Sequence, residues 1–299
     1  MEKVLHVRSV NDYARHVGAT VLHPLVSVIH YDELDRCRHA LCEYGVYALF
    51  LMKESPYTVS YGTGNYRFDS GSLMCVAPGQ RGGVTDDGEI IHIQGWVLLF
   101  HPDLLSGTHL ERRIQDYHYF SYYSNEALVL TPDEWARLER CFAAIRKELE
   151  EFADDKHLQA IVIAYLSLLM ELAARFYERQ FKGEGSTEEE FCHRIDVVLE
   201  RYYAASQHLE SGIPTVRYLA GEFFLSPNYF GDLVRVKTGE SASSYIRRFL
   251  MGKAKYMLQG GHSVSEVSDA LGFEYPQNFT RMFKKEFGVA PSKIGRSGY

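Results

Sequence analysis

The chain lacks any uninterrupted apolar run approaching the roughly 18 residues that a membrane span requires. Its most apolar stretch, Leu158 to Met170, is shorter and is flanked by Lys156, His157 and Glu171, so no membrane partner is expected. The opening MEKVLHVRSVNDYARH has none of the apolar core of a secretory signal. Cysteines are few: Cys37, Cys42, Cys75, Cys141 and Cys192 are odd in number, widely spread and free of any CxxC pair. That excludes a zinc knuckle and a disulfide framework and points to a reducing cytoplasm. GxSxG, P-loop, GxGxxG and HExxH motifs are all absent, which removes common signatures of hydrolases, nucleotide-binding enzymes and zinc proteases.

What is present is an ordinary globular composition, 46% hydrophobic and 24% charged, over 299 residues, a length that suggests about two domains. The net charge of −7 conceals an asymmetry. From Ile213 to Tyr299 there are 12 basic and 7 acidic residues (+5), whereas the remainder carries 20 and 32 (−12). A basic end attracts phosphates, although the same excess also fits ordinary surface variation.

Up to about Leu130 the chain reads as strands and turns. Gly45–Leu51, Tyr57–Tyr61 and Ile90–Phe100 are rich in β-branched and aromatic residues, and Gly62-Thr63-Gly64-Asn65, Pro78-Gly79 and Asp86-Asp87-Gly88 punctuate them. Many short strands suggest a small sandwich or barrel. The pattern changes at Thr131-Pro132-Asp133-Glu134, a helix start with an N-cap threonine, a first-turn proline and a capping-box glutamate. Trp135, Leu138, Phe142, Ile145, Leu149 and Phe152 follow at helical spacing. A second helix, expected from about Lys156 to Phe181, is apolar on two faces: Leu158, Ile161, Tyr165, Leu168 and Leu172 on one, Ile163, Leu166 and Met170 on the other. Such a helix needs partners on both sides, which its own domain or a second subunit can supply.

The last hundred residues contain an internal repeat at an offset of 48 to 49. Pro227/Pro276, Phe230/Phe279, Val234/Phe283 and Gly239/Gly288 align at 49. Each unit opens with a short apolar-striped helix, capped by Thr215 in the first and by Ser263 with Glu266 in the second. Each turns within a few residues, restarts at a proline and stops at a glycine. Helix, tight turn, helix is the layout that places one helix in a DNA major groove. A longer helix from Ser244 to Gln259 joins the units and carries Arg247, Arg248, Lys253 and Lys255.

The segments LAGEFFLSPNYFGDLVRVKTGES and GFEYPQNFTRMFKKEFGVAPSKI resemble the DNA-binding domain of the AraC family of bacterial transcription regulators over about Glu210 to Ile294. The N-terminal part is similar, less specifically, to that family's cupin-like sensor barrel, chiefly through Leu73–Gln80 with its Pro78-Gly79 turn. The resemblance implies an α+β chain. Residues 1–182 would form a cupin-like β-barrel with two following helices, for sensing and dimerisation; 183–190 would be a linker; and 191–299 an all-α DNA-binding domain of two helix-turn-helix subdomains. It implies a sequence-specific regulator that acts on double-stranded DNA. No cofactor is expected, the chain is expected in the cytoplasm as a homodimer through the helices at about 133–181, on the two-sided apolar stripe of the second, and RNA polymerase and a small-molecule effector are further candidate partners. Three departures affect local stability: Ser268 at a small apolar position, Phe224 near the first turn where Gly or Asn suits a left-handed backbone, and Lys293-Ile294-Gly295-Arg296 in place of a Tyr-Arg ending.

Buried aromatics fix which positions can meet DNA. With Phe230, Leu233 and Val234 inward, Asn228, Gly231 and Asp232 point outward and Tyr229 flanks them; with Phe279 and Phe283 inward, Gln277, Thr280 and Arg281 point outward. These match the family's base-reading positions, and Arg suits guanine while Gln or Asn suits adenine. Gly231 has no side chain and Asp232 repels phosphate, so the second helix is expected to be the stronger reader. Ser226, Tyr229, Lys237, Asn278, Lys284 and Lys285 are candidate phosphate contacts; the last two equally suit a helix C-terminus as solvated charges. Two other readings stay open. A cupin-type metal enzyme needs clustered histidines with a later glutamate and histidine, whereas His23, His30, His92, His101 and His118 are scattered and Tyr66-Arg67-Phe68 stands where a cluster would sit. A helical interaction module that does not bind DNA is the other.

Overall fold

The computed structural model describes residues 4–34, 37–38, 40–53, 59–61, 64–66, 71–83, 90–91, 93–123, 126–183 and 187–296. The chain divides into two compact units, Met1–Gln180 and Phe181–Tyr299.

The first unit holds two five-stranded sheets. In one, the order is β1 (Val4–Val7), β4 (Leu41–Tyr44), β9 (Arg81–Gly83), β6 (Val59–Tyr61) and β7 (Gly64–Tyr66), with β1 and β4 parallel. In the other it is β12 (Leu128–Val129), β8 (Ser72–Val76), β5 (Tyr47–Met52), β11 (Gly95–Phe100) and β2 (Val26–His30), all antiparallel. A two-stranded ribbon pairs β10 (Ile90–Ile91) with β3 (Cys37–Arg38). Among the described residues neither sheet closes on itself, so the expected barrel is, in observation, a pair of open sheets. Their outer strands β7 and β12 are only three and two residues long, which limits further pairing.

All six residues of β11 are buried, as expected for a strand covered on both faces. On one face Val97 and Leu99 join Ala48, Phe50 and Ile29 in a core that also takes Val7, Cys42 and Tyr44 from the other sheet. On the other, Trp96 Nε1 donates to Glu139 at 3.2 Å, and the helix α3 (Pro132–Glu151) that carries Glu139 packs on β2 and β11. Gly95 opens β11 at φ 127°, where a Cβ would lie 2.1 Å from the Leu51 carbonyl oxygen, so no other residue fits. The tyrosines of this core pack ring on ring: Tyr13 and Tyr44 each stand edge-on to Phe50, and the Tyr13 and Tyr31 hydroxyls are 2.5 Å apart.

Tyr13 lies on a helix within the region expected to be strands. Helix α1 (Val10–Val17) is capped by Ser9 with Asp12 and ended by Gly18 at φ 79°, and it buries Val10, Tyr13, Ala14 and Val17. A short helix, α2 (Leu110–Arg113), follows β11 in the chain, and α3 starts as expected: Thr131 Oγ1 accepts from the Glu134 amide at 3.3 Å and Glu134 accepts from the Thr131 amide at 2.9 Å. Leu138, Phe142, Ile145 and Leu149 are buried, but Phe152, its C-cap, is half exposed. Helix α4 (Leu158–Gly183) is long and apolar enough to cross a bilayer by length and composition, yet buries Leu158, Val162, Leu166, Leu169, Met170, Ala173, Phe176 and Tyr177 in the protein. Of the expected face Leu158, Ile161, Tyr165, Leu168 and Leu172, the first and last are buried, Ile161 and Tyr165 are half-buried and only Leu168 is exposed; Ala160 and Ala164 are exposed on the same helix, so this side is open only in part.

The second unit is helical. Gly183 is the last residue of α4 and Thr187 caps α5 (Glu188–Ala204) through Glu190, so a helix begins inside the expected linker. Then come α6 (His208–Ser211), α7 (Val216–Glu222), α8 (Pro227–Thr238), α9 (Ala242–Gln259), α10 (Val264–Ala270) and α11 (Pro276–Phe287). Helix α5 fastens the rest. Tyr202 Oη donates to Gly212 O (2.9 Å), Tyr203 Oη to Leu271 O (3.1 Å), and Tyr245 Oη of α9 to Asp196 Oδ1 (3.0 Å). Burial, then the Asp196 carboxylate, pushes the Tyr245 phenol well up, so it stays a donor.

Candidate nucleic-acid interface

The two helix pairs are near copies. Thr215 accepts from the Tyr218 amide and Ser263 from the Glu266 amide, at 3.1 and 3.2 Å. Both first helices end in one turn geometry: Leu225 N donates to Ala220 O and Phe273 N to Ser268 O, at 2.9 and 3.0 Å. The left-handed residue of that turn is Phe224 (φ 58°) in the first pair and Gly272 (φ 78°) in the second. Up to this point the copies run 48 residues apart. The second turn has one more residue, and α8 and α11 then run 49 apart, starting at Pro227 and Pro276 and capped by Gly239 and Gly288 at φ 75° and 74°. The expected stops and starts are therefore in place.

On α11, Phe279 and Phe283 are fully buried in a run of rings from Phe273 to Phe287, spaced 4.7 to 5.7 Å. Gln277, Asn278, Arg281, Lys284 and Lys285 are exposed and Thr280 is half-buried, so the expected outward face is open to solvent. An open cleft of about 720 Å³ runs along one flank of this face, between α9 and α11, lined by Arg247, Glu274, Asn278, Arg281, Met282 and Lys285.

Helix α8 departs from expectation. Phe230, Leu233 and Val234 are inward and Asn228 is exposed, but Tyr229 and Asp232 are buried, 3% and 7% exposed. The Tyr229 ring stands edge-on to Phe181 at 4.8 Å, and Asp232 is ion-paired with Arg235 one turn on. Tyr229 is thus not a flanking surface residue, and Asp232 is not the outward acid that its polarity suggested. Ser226 is also buried (1% exposed), with its hydroxyl accepting from the Tyr229 amide at 3.2 Å, so it caps the helix. Lys237 is half-buried. Gly231 is half-buried, with nothing within 4 Å of where a Cβ would stand. The residue missed here is Arg235, exposed beyond its pair; its i, i+3 spacing from Asp232 was the available signal.

Residues 219–297 match a family model described as a helix-turn-helix domain. The C-terminal part of this chain is a helix-turn-helix domain. Relatives of the chain are regulators by name. An uncharacterized transcriptional regulatory protein, YesN, of Bacillus subtilis is 36% identical over 172 residues, covering 56% of this chain and 44% of that protein. The Msm operon regulatory protein of Streptococcus mutans is 25% identical, covering 42% and 44%. The transcriptional activator RhaS of Escherichia fergusonii is 23% identical, covering 54% and 57%. The chain spans about half the length of the curated relatives it matches. Among solved structures, the C-terminal domain of AraT, a response regulator from Geobacillus stearothermophilus, covers 35% of this chain and 85% of its own at 23% identity and TM-score 0.30. ToxT from Vibrio cholerae covers 90% and 97% at 14% identity and TM-score 0.29. At such scores the likeness carries neither fold nor function to this chain.

Two of the histidines weighed as metal ligands make ordinary contacts. His30 stacks on Trp96 at 4.0 Å and meets Asp32 and Glu33 at 3.0 and 3.2 Å; His101 accepts from the Asp103 amide; His92 and Arg67-Phe68 lie outside the described residues. Among the described residues no three His, Cys, Asp or Glu side chains are grouped to hold a metal ion.

Proposed function

We propose that the chain is a sequence-specific DNA-binding transcription regulator whose N-terminal unit is a cupin-like sensor and dimerisation domain. The observation that carries the reading is the pair of matching helix-turn-helix units, of which the second exposes Gln277, Asn278, Arg281, Lys284 and Lys285 on one open face. Arginine and glutamine there have the reach and the paired donors for guanine and adenine edges. The flanking lysines have the charge for phosphate. The reading keeps Asn228 and Gly231 as the DNA-facing positions of α8. It also assigns the open α4 side, Ala160, Ala164 and Leu168, to a second copy of the chain, and it leaves a small-molecule effector and RNA polymerase as the partners through which binding becomes regulation. Double-stranded DNA in the cytoplasm is the primary partner, and no catalytic step is invoked.

The test is selection of duplexes from a random pool by the purified full chain. Enrichment of one sequence, lost when Gln277 and Arg281 are both replaced by Ala, supports the reading. Retention of every sequence alike, or of none, removes it.

A further inference from the structure

The cleft beside α11 is lined by three cations, Arg247, Arg281 and Lys285, and one acid, the exposed Glu274. Among the described residues none of the three cations makes an ion pair or a side-chain hydrogen bond. Within α9 this sets Arg247 apart, because the other cations of that helix are occupied. Arg248 donates to Glu240 at 2.9 Å and lies over the Tyr245 ring; Lys253 donates to Glu200 at 2.6 Å; Lys255 lies over the Phe287 ring at 5.2 Å. Arg247 and Arg248 are chain neighbours with opposite situations, one satisfied by the protein and one half-buried at a cleft with two more unpaired cations.

Three cations facing one cleft with a single acid, Glu274, leave it net positive, and an anion between the cations offsets their mutual repulsion. The position of the cleft indicates which anion. Asn278, Met282 and Lys285 recur at i, i+4, i+7 and form a flank of α11 beside the face that Arg281 centres. A helix is about 10–12 Å across with its side chains, and the major groove is about 12 Å wide. A helix seated there therefore has its reading face on the bases and its flanks on the two sugar-phosphate walls. A cation reaching that flank from a second helix meets a backbone phosphate, not a base.

We propose that this cleft is a phosphate clamp, in which Arg247 of the joining helix and Lys285 of α11 hold one backbone phosphate of the duplex beside the bases that Arg281 reads. The clamp rests on the DNA-binding reading and extends the interface to a helix outside both helix-turn-helix pairs. It holds the second unit in register on the duplex and confers no sequence preference itself.

The test measures affinity against salt for the full chain on a selected duplex and a scrambled one. Wild type is compared with Arg247→Ala, Arg247→Gln, Arg247→Lys and Arg248→Ala. One lost phosphate contact removes about 0.9 from the slope of log affinity against log salt, which is about eightfold in affinity at 0.1 M. Arg247→Ala and Arg247→Gln are expected to show that loss equally on both duplexes. Arg247→Lys, which keeps the charge, should retain the slope, and Arg248→Ala should match wild type. Arg247→Gln keeps the aliphatic stem, so it answers the question if Arg247→Ala misfolds. Wild-type slope and affinity in both neutral variants would refute the clamp and leave the DNA-binding reading standing. Loss on the selected duplex alone, with an unchanged slope, would make Arg247 a base reader and also refute it. A wild-type chain that binds neither duplex removes the DNA-binding reading, and the clamp with it.

Discussion

Replacing Ser268 by alanine is expected to stabilise the helical unit. Ser268 is fully buried on α10, and its hydroxyl has no hydrogen-bond partner. The copy of this position 48 residues earlier is Ala220, also fully buried and making the same turn through its carbonyl. A buried hydroxyl without a partner costs about 1–3 kcal/mol of lost hydration. Removing one oxygen leaves a void of roughly 15–20 Å³, which at about 24 cal/mol per Å³ returns about 0.4 kcal/mol. Alanine is also the better helix former, by up to about 0.5 kcal/mol. The net expectation is a gain of about 0.6–3 kcal/mol, or several degrees in Tm for a domain of this size. Thermal and urea unfolding of the full chain, followed through the helical unit, would read it. The converse, Ala220→Ser, should lose a comparable amount. A Ser268→Ala chain that is less stable than wild type would refute the reasoning, because it would mean the hydroxyl is satisfied in solution, for instance by bonding back to the preceding helical turn.

Four further outcomes are expected. Arg281→Ala should cost about 1–3 kcal/mol on the selected duplex and relax base preference there; an equal loss on scrambled DNA, with a reduced salt slope, would instead make Arg281 a phosphate contact. Phe224→Gly should raise stability by about 0.5–1 kcal/mol in urea unfolding, because a left-handed backbone at φ 58° penalises a side chain that is 84% exposed; a loss would show that the ring packs in solution. With the open side of α4 assigned to a second copy, as proposed, Leu168→Glu should lower the sedimenting mass of the full chain from dimer to monomer; a monomeric wild type, or a dimeric variant, would overturn that assignment. Glu266 is held below the usual carboxylate range by the Ser263 backbone and side-chain hydrogen bonds, so its contribution to α10 is complete above its ordinary value and is lost as pH falls through the lowered one; the melting difference between wild type and Glu266→Gln should vanish on acidification, and a constant difference would contradict the cap.

The helical half was legible because its punctuation is chemical and local. Thr131, Thr215 and Ser263 declare helix starts by their own hydroxyls, and Gly239 and Gly288 declare stops by their tolerance of a left-handed backbone. The strained turn at Phe224 was legible for the same reason, since an unsuitable residue at a recognisable position is itself a signal. Helix α1 was missed although Ser9 and Asp12 form its capping box and Val10, Tyr13, Ala14 and Val17 its stripe. Eight residues among short strands were absorbed into the prevailing period. What could not be read was tertiary. The parallel pairing of β1 with β4 joins segments 37 residues apart, and no local pattern specifies which strands meet. The burial of Tyr229 depends on Phe181, which lies 48 residues earlier in the chain. A helical wheel drawn from α8 alone treats polar residues as outward and cannot see such a cover.

The same burial sharpens the contrast between the two candidate reading helices. Asp232 was expected to weaken α8 by facing phosphate with the wrong charge. Paired with Arg235 and buried, it weakens α8 in a different way, by engaging the arginine of that helix's last turn. An arginine already neutralised by a neighbouring carboxylate must give up that pair to hold a phosphate or a base, and the exchange returns little. Helix α11 has no such internal competitor: Arg281, Lys284 and Lys285 are exposed and carry no ion pair among the described residues. On the DNA-binding reading, α11 therefore supplies the electrostatic term and the base contacts. Helix α8 contributes through Asn228 and through the open space at Gly231, where a backbone can approach a groove wall closely. Two structurally matched units at a 48- to 49-residue offset are thus chemically unequal, and the inequality arises from which cations the protein has already used.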